Sequence, residues 1–433
     1  MLETLKNAWK IKDLRKKIIF TVIIILIIRV GVGLLIPFLD PSAVRENLNT
    51  ESAFATMNMI TGGSLGQTTV FALGVQPYIN ASIILQLLGI VFPQLEELSK
   101  QGEEGKKKKD LITKLTTIGI ALMQSVAYYL YMANESLIVQ HGGFEQALMA
   151  TAIVAILMAG TCLVVWLGEE INIKGLGNGI SMVIFAGILS SFPRMFYELY
   201  AYFRMGLEQD NFRWTIGSPI LLILYIVMII FIVFMTNAER KIPIQYAKRV
   251  VGRKMYGGQS TYMPIKVNMS GVMPVIFASS IMQIPQLLTL FINPNKNPNG
   301  FFAKFVNFLN PQSVVYGILF FILVFAFNFF NTAMNYNPVE IANDLRKNSG
   351  AIPGFRPGKP TSDYIQLVVS RINVIGGLFL AVIATLPIFI GLIFNMNFAM
   401  AGTSVIIVVG VALDTVKAME SQMMMRHYKG FLE

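Results

Sequence analysis

Ten stretches of this 433-residue sequence are each about as long and as apolar as a bilayer crossing requires, and that leaves few folds open. They lie near 18–36, 71–92, 112–133, 147–167, 179–199, 216–236, 268–291, 312–333, 366–391 and 397–414. A chain that repeats this pattern folds as an all-α, polytopic membrane protein, because lipid leaves backbone groups no partner outside the helix. With 54% hydrophobic and 14% charged residues, it has too little polar surface for a soluble domain of this size. Prolines stand near one end of the fifth and ninth runs, and Pro274 and Pro285 interrupt the seventh. Such interruptions are tolerated where a span packs on protein or lines a cavity.

Loop charge gives the orientation. With the amino terminus placed in the cytoplasm, the cytoplasmic segments hold 26 Lys and Arg and the outer loops hold 6. That asymmetry follows the positive-inside rule and puts both termini in the cytoplasm. Residues 1–17 carry six cations, with Leu2, Leu5 and Trp9 at helical spacing, and read as an amphipathic helix on the membrane surface. The run from Ile18 is too long for a signal peptide and lacks a small-residue cleavage site, so it reads as a retained first span.

One phrase occurs twice. Gly74–Gln86 recurs 197 residues later as Gly271–Gln283, with eight of thirteen positions identical and no gap. The charge count sends the second span inward and the seventh outward, so the phrase is used in opposite directions. That is the pattern of an inverted repeat. It divides the chain into a cytoplasmic segment (1–17), an N-terminal half (18–200), an outer connector (201–215), a C-terminal half (216–414) and a cytoplasmic tail (415–433).

Three loops are longer than connection alone needs. The outer connector 37–70 ends in a part, 56–67, that is mildly apolar, rich in Gly and too short to cross; it reads either as a surface loop or as a short helix folded back into the protein. Residues 237–267 alternate in the manner of a β-hairpin and carry seven cations; residues 334–365 carry four. Both suit a docking platform for a large acidic or nucleic-acid-bearing partner. The Lys106–Lys109 run reads as a topological anchor in a short loop.

Several function classes lack their residues. No Asp or Glu falls at mid-depth of a span, where a proton- or ion-coupled transporter needs one. There is no GxxxxGK[ST] loop or HExxH pair. Cys162, His141 and His427 are too few and too scattered for a metal site, so neither cofactor nor enzyme activity is expected. The polar residues at mid-span, Asn80, Gln86, Gln124, Asn268 and Gln283, suit helix–helix contacts. Ile79/Ile83 and Ile184/Ile188 each present a narrow apolar face at i, i+4; such a constriction seals a path by dewetting, although Ile is common in any span. A secondary transporter for a small solute shares the inverted repeat and broken helices, but fits neither the missing carboxylates nor the basic loops.

The sequence resembles the SecY/Sec61-alpha family, the channel subunit of the protein translocase. The resemblance runs over essentially the whole chain. It is carried by Ala72–Gln86, Gly177-Asn178-Gly179-Ile180-Ser181, Gln259–Met269, Ala278-Ser279-Ser280, Pro353–Gly358 and Gly402-Thr403-Ser404. It implies a protein-conducting hourglass channel in the bacterial plasma membrane, built from two pseudo-symmetric inverted halves of five spans. A pore ring would comprise Ile79, Ile83, Ile184, Ile188, Ile276 and Ile407, with Ile406 the alternative at the last position. A plug would span 57–67, with Met57, Asn58, Met59, Ile60, Thr61, Gly62, Gly63, Ser64 and Leu65 at its centre. Gln124, Asn268 and Ser280 would lie at a lateral gate. Arg240, Lys248, Arg249, Arg253, Lys254, Arg346 and Arg356 would meet the partners. The partners implied are SecE, SecG, the SecA ATPase, the ribosome, signal-bearing polypeptides and membrane lipids.

Overall fold

The two copies of the repeated phrase begin alike in three dimensions. In the computed structural model Gly74 and Gly271 both take left-handed backbone angles, φ +52° and +64°, which an L side chain rarely adopts. Each starts a short helix whose second residue is Pro, where a missing N–H does no harm. Equivalent bonds follow: the Ile79 N–H donates to the Val75 carbonyl at 3.1 Å, and the Ile276 N–H to the Val272 carbonyl at 3.3 Å.

The structure describes residues 2–38, 61, 63–65, 67–134, 138, 143–246, 249–251, 254–256, 260–288, 300–310, 313–394 and 401–429. Its helices are α1 (Leu2–Lys10), α2 (Lys12–Gly31), α3 (Gln76–Val91), α4 (Pro93–Lys100), α5 (Glu103–Asn134), α6 (Phe144–Lys174), α7 (Gly179–Glu208), α8 (Phe212–Asn237), α9 (Met273–Leu288), α10 (Phe301–Phe308), α11 (Val314–Asn335), α12 (Pro338–Lys347), α13 (Lys359–Phe394) and α14 (Ala401–Lys429). The strands are β1 (Glu239–Tyr246), β2 (Arg249–Val251), β3 (Lys254–Tyr256), β4 (Ser260–Lys266) and β5 (Gly350–Ala351). Every apolar run expected from the sequence falls on one of these helices. Seven of them (α5–α8, α11, α13 and α14) are long and apolar enough to cross a membrane. The first expected span is α2, whose first two turns carry Lys12, Asp13, Arg15, Lys16 and Lys17.

The second and seventh expected spans, α3 and α9, have 16 residues each. At 1.5 Å per residue that is about 24 Å, short of the ~30 Å hydrocarbon core. Irregular backbone precedes each of them, and its side chains are largely buried: Thr68, Thr69, Phe71, Ala72 and Leu73 before α3, Asn268 and Ser270 before α9. Non-helical chain at membrane depth survives only inside protein. Both run-ins are seated on a glycine. A Cβ on Gly160 of α6 would overlap the Val70 carbonyl oxygen, and one on Gly376 of α13 would overlap the Val267 carbonyl oxygen. Val70 and Val267 are also 197 residues apart, so the close approach belongs to the repeat.

The chain packs as two compact units. The first comprises Met1–Ser218, Met282–Ser313 and Val411–Glu433; the second comprises Pro219–Ile281 and Val314–Gly410. A core of the first joins Ile36, Leu65, Leu73, Tyr128, Met132, Ile153 and Leu157. In the second, β1 pairs antiparallel with β4 and β5, and β2 with β3, which bears out the hairpin expected over 237–267. Ile242 and Ile244 of β1 pack on Ile265, Leu345, Ile352, Ile365 and Val369. Asn337 caps α12, accepting from the Val339 and Glu340 N–H groups.

Several local expectations need correction. Lys106–Lys109 lie on the first turns of α5 rather than in a short loop. Most of 201–215 is helical, and α14 continues through most of 415–433. Hydropathy marks the apolar stretch, whereas Lys, Glu and Met extend a helix well beyond it. Neither Pro274 nor Pro285 breaks α9; the first is its second residue and the second lies inside it. At the amino terminus Ala8 and Leu14 are buried against Leu176 and Met419, while Trp9 is exposed.

Candidate functional site

The six residues expected at a pore ring lie on four helices. Ile79 and Ile83 sit one turn apart on α3, Ile184 and Ile188 one turn apart on α7, and all four are buried within the first unit. Ile276 on α9 is half-buried, and Ile407 on α14 is buried, both in the second unit. A Cβ on Gly410 would overlap Val272 Cγ1, so α14 passes close to the start of α9. Ile276 follows Val272 by four residues and Ile407 precedes Gly410 by three, which puts each about one turn from that contact. Ile406 is as deeply buried as Ile407.

Of the expected plug, Met57, Asn58, Met59, Ile60 and Gly62 lie outside the described residues. Thr61, Gly63, Ser64 and Leu65 form turns rather than helix. They are tied down closely. Ser64 Oγ donates to the Thr61 carbonyl at 2.6 Å, and the Thr69 N–H and Oγ1 both donate to the Ser64 carbonyl. Tyr128 Oη of α5 donates to the Leu65 carbonyl at 3.0 Å. The Ile36 N–H reaches the Thr68 carbonyl and the Val70 N–H the Leu34 carbonyl, which pairs this stem with the end of the first span.

The expected gate residues Gln124, Asn268 and Ser280 are all buried. Gln124 Oε1 and Asn268 Oδ1 have no hydrogen-bond partner among the described residues. A buried amide oxygen without a donor carries a desolvation penalty, so these two are polar groups at unusual expense. Gln283 is helix–helix glue as expected, and its partner is Gln76, which no sequence pattern singles out.

A larger polar network in the second unit was also missed. Asn328 Nδ2 of α11 donates to Asn373 Oδ1 of α13 at 2.7 Å and to the Asn373 carbonyl at 3.0 Å. Thr332 Oγ1 donates to the same Oδ1 at 2.7 Å, and Ser270 Oγ to Asn328 Oδ1. The network fixes the α9 run-in to α11 and α13. Asn at 328 and Thr at 332, one helical turn apart in an otherwise apolar run, was the available signal.

Of the expected docking residues, Arg240 on β1, Arg346 on α12 and Arg356 are exposed. Arg249 and Lys254 lie on β2 and β3; Lys248 and Arg253 are outside the described residues. Arg356 stands on an ordered turn. Thr361 Oγ1 donates to its carbonyl at 2.8 Å, and Phe355 stacks on Tyr364 with ring centroids 4.2 Å apart. Among the described residues no group of three His, Cys, Asp or Glu could hold a metal.

Comparison with known proteins follows the same outline. The SecY family model matches residues 69–416. The protein translocase subunit SecY of Streptomyces coelicolor is 41% identical over 444 residues, with all of both chains covered. A solved chain described as the structure of a protein conducting channel aligns with a TM-score of 0.64 at 19% identity, covering 94% of this chain and 92% of its own. Sec61 from the canine ribosome-channel complex of the endoplasmic reticulum gives 0.61 at 18% identity, covering 94% and 92%. The two solved structures speak to the fold; the translocase relative speaks to the family.

Proposed function

The chain belongs to the SecY family of translocase subunits, and from that premise we propose that it conducts unfolded polypeptides across the bacterial plasma membrane and releases apolar segments sideways into lipid. It works as a channel subunit, not an enzyme. The observation that carries this is the pair of short helices α3 and α9: each starts from a buried irregular run-in and carries a repeat-equivalent isoleucine, Ile79 and Ile276, one turn from its start.

Two inverted halves, 18–200 and 216–414, surround an apolar waist lined by Ile79, Ile83, Ile184, Ile188, Ile276 and Ile407. A ring of branched apolar side chains excludes water when empty and yields around a passing chain. Residues 57–67 form the plug, held at its stem by Tyr128. A signal sequence is itself an apolar helix and replaces helix contacts near Gln124, Asn268 and Ser280 at small net expense, since apolar surface meets apolar surface. SecA or the ribosome docks on Arg240, Lys248, Arg249, Arg253, Lys254, Arg346 and Arg356 at the cytoplasmic side. Docking biases the same opening equilibrium. SecE braces the halves, SecG associates at the periphery, and both termini are cytoplasmic.

The test is a crosslinking experiment. Photoreactive residues at 79, 184 and 276 should label a polypeptide arrested in transit, whereas probes at the exposed Ile223 and Ile230 of α8 should not. Labelling from the exposed positions alone would overturn the proposal.

A further inference from the structure

The two run-ins seated on Gly160 and Gly376 are fastened, beyond their seats, by different chemistry. Leu73 and Ser270 stand at equivalent places in the repeat, 197 residues apart. Leu157 and Asn373 also match, each three residues ahead of the seating glycine on its helix. In the first unit Leu73 and Leu157 share an apolar cluster with Tyr128 and Met132, which lie one turn apart on α5. In the second, Ser270 and Asn373 are joined through Asn328, with Thr332 one turn further along α11. The same joint is therefore apolar under α3 and polar under α9.

The two chemistries hold in different ways. Apolar contact has no direction, so packed leucines keep most of their burial through a small rotation of the chain. A buried amide keeps its bonds only near one geometry. Asn328 uses both ends of its amide: Nδ2 donates to Asn373, and Oδ1 accepts from Ser270. Asn373 Oδ1 accepts twice, from Asn328 and from Thr332. Gly377 leaves the room this needs, since a Cβ there would lie 2.8 Å from Asn328 Nδ2. All four side chains are buried, so a shift of the run-in strands several polar groups at once. The first run-in is braced within itself instead. The Ala72 N–H donates to the Thr69 carbonyl and the Gly74 N–H to the Phe71 carbonyl, both at 2.9 Å, and these bonds travel with the segment when it moves.

We propose that Asn328 and Asn373 are positioning residues that lock the base of α9 to α11 and α13, whereas the base of α3 rests on a compliant apolar joint. A polypeptide entering the channel displaces the start of α3, while the start of α9 keeps its place. The polar joint thus supplies a fixed reference for Ile276, one turn into its helix. This rests on the channel reading given above.

The experiment is hydrogen exchange on the full chain, assembled with its translocase partners in nanodiscs, idle and with a polypeptide arrested in transit. Peptides covering 70–78 and 267–275 report the two helix starts, each compared with itself in the two states. In the parent, arrest should speed exchange over 70–78 and leave 267–275 unchanged. Asn328→Leu/Asn373→Leu removes both amides, keeps a side chain that branches at Cγ, and makes the second joint apolar like the first. It should assemble as the parent does, and exchange over 267–275 should now rise on arrest by roughly tenfold. Thr332→Ser keeps the hydroxyl and should respond as the parent does; Thr332→Val removes it and should fall between the parent and the double variant. A network that serves stability alone would lower the unfolding temperature of the double variant and leave its response to arrest parental, which would overturn the lock. So would a parent in which arrest speeds exchange over 267–275 as much as over 70–78. Should the double variant fail to assemble, the two Thr332 variants decide, and equal responses from them overturn the lock. If no polypeptide can be arrested in the parent, the channel reading fails instead.

Discussion

Tyr128 Oη donates to the carbonyl of Leu65 from 63 residues away, and both groups are buried. A carbonyl in a turn has no helical partner, and a buried one needs a donor from elsewhere. The phenol therefore ties the turn at Leu65, the stem of the proposed plug, to α5.

Tyr128→Phe keeps the ring and removes the donor. Leaving the Leu65 carbonyl unpaired costs about 1–3 kcal/mol. The variant should assemble normally but raise the resting ion conductance of the channel in a planar bilayer. A resting conductance equal to that of the parent would mean that the stem is seated by packing alone.

Ile83→Asn and Ile276→Asn place an amide in the proposed waist. Each should admit water, increase ion leak and allow export of substrates with defective signal sequences. Conductance and export measured side by side check this; parental behaviour in both variants would remove these residues from the ring.

Gly160→Val and Gly376→Val force a side chain onto the carbonyls of Val70 and Val267. Backbone cannot yield as a flexible side chain does, so each should lower stability by several kcal/mol, more than the ~1–3 kcal/mol of ordinary overpacking. Gly89 and Gly119, with nothing within 4 Å of an added Cβ, are the controls. Alanine at either should be neutral or stabilising by up to ~1 kcal/mol, as for any helical glycine. Thermal unfolding in detergent separates the two classes.

Arg356→Glu reverses the charge on an exposed turn and leaves the fold intact. Binding of SecA or the ribosome should weaken and lose part of its salt dependence, since the contact is electrostatic. Thr361→Val keeps the charge but frees the Arg356 carbonyl, and should weaken binding by less. A titration at two ionic strengths tests both.

Much of this was legible from residue patterns. The apolar runs located every long helix, and the alternation of Ile242 and Ile244 with exposed neighbours anticipated β1. The repeat of Gly74-Val75 at Gly271-Val272 anticipated two matching helix starts. Helix ends were not legible, because the hydrogen-bonded ladder continues through Lys106–Lys109 and Lys417–Gln422, where hydropathy has already fallen. Partnerships such as Tyr128 with Leu65, Gln76 with Gln283 and Asn328 with Asn373 depend on which faces meet, and a one-dimensional pattern does not encode that.

The glycine seats under Val70 and Val267 have a mechanical consequence. Main chain pressed on main chain cannot slide by even one methyl group without collision, whatever the neighbouring side chains do. Each run-in is therefore anchored six residues ahead of its short helix. For a rod of about 24 Å held at one end, a tilt of roughly 10° would carry the far end by about 4 Å.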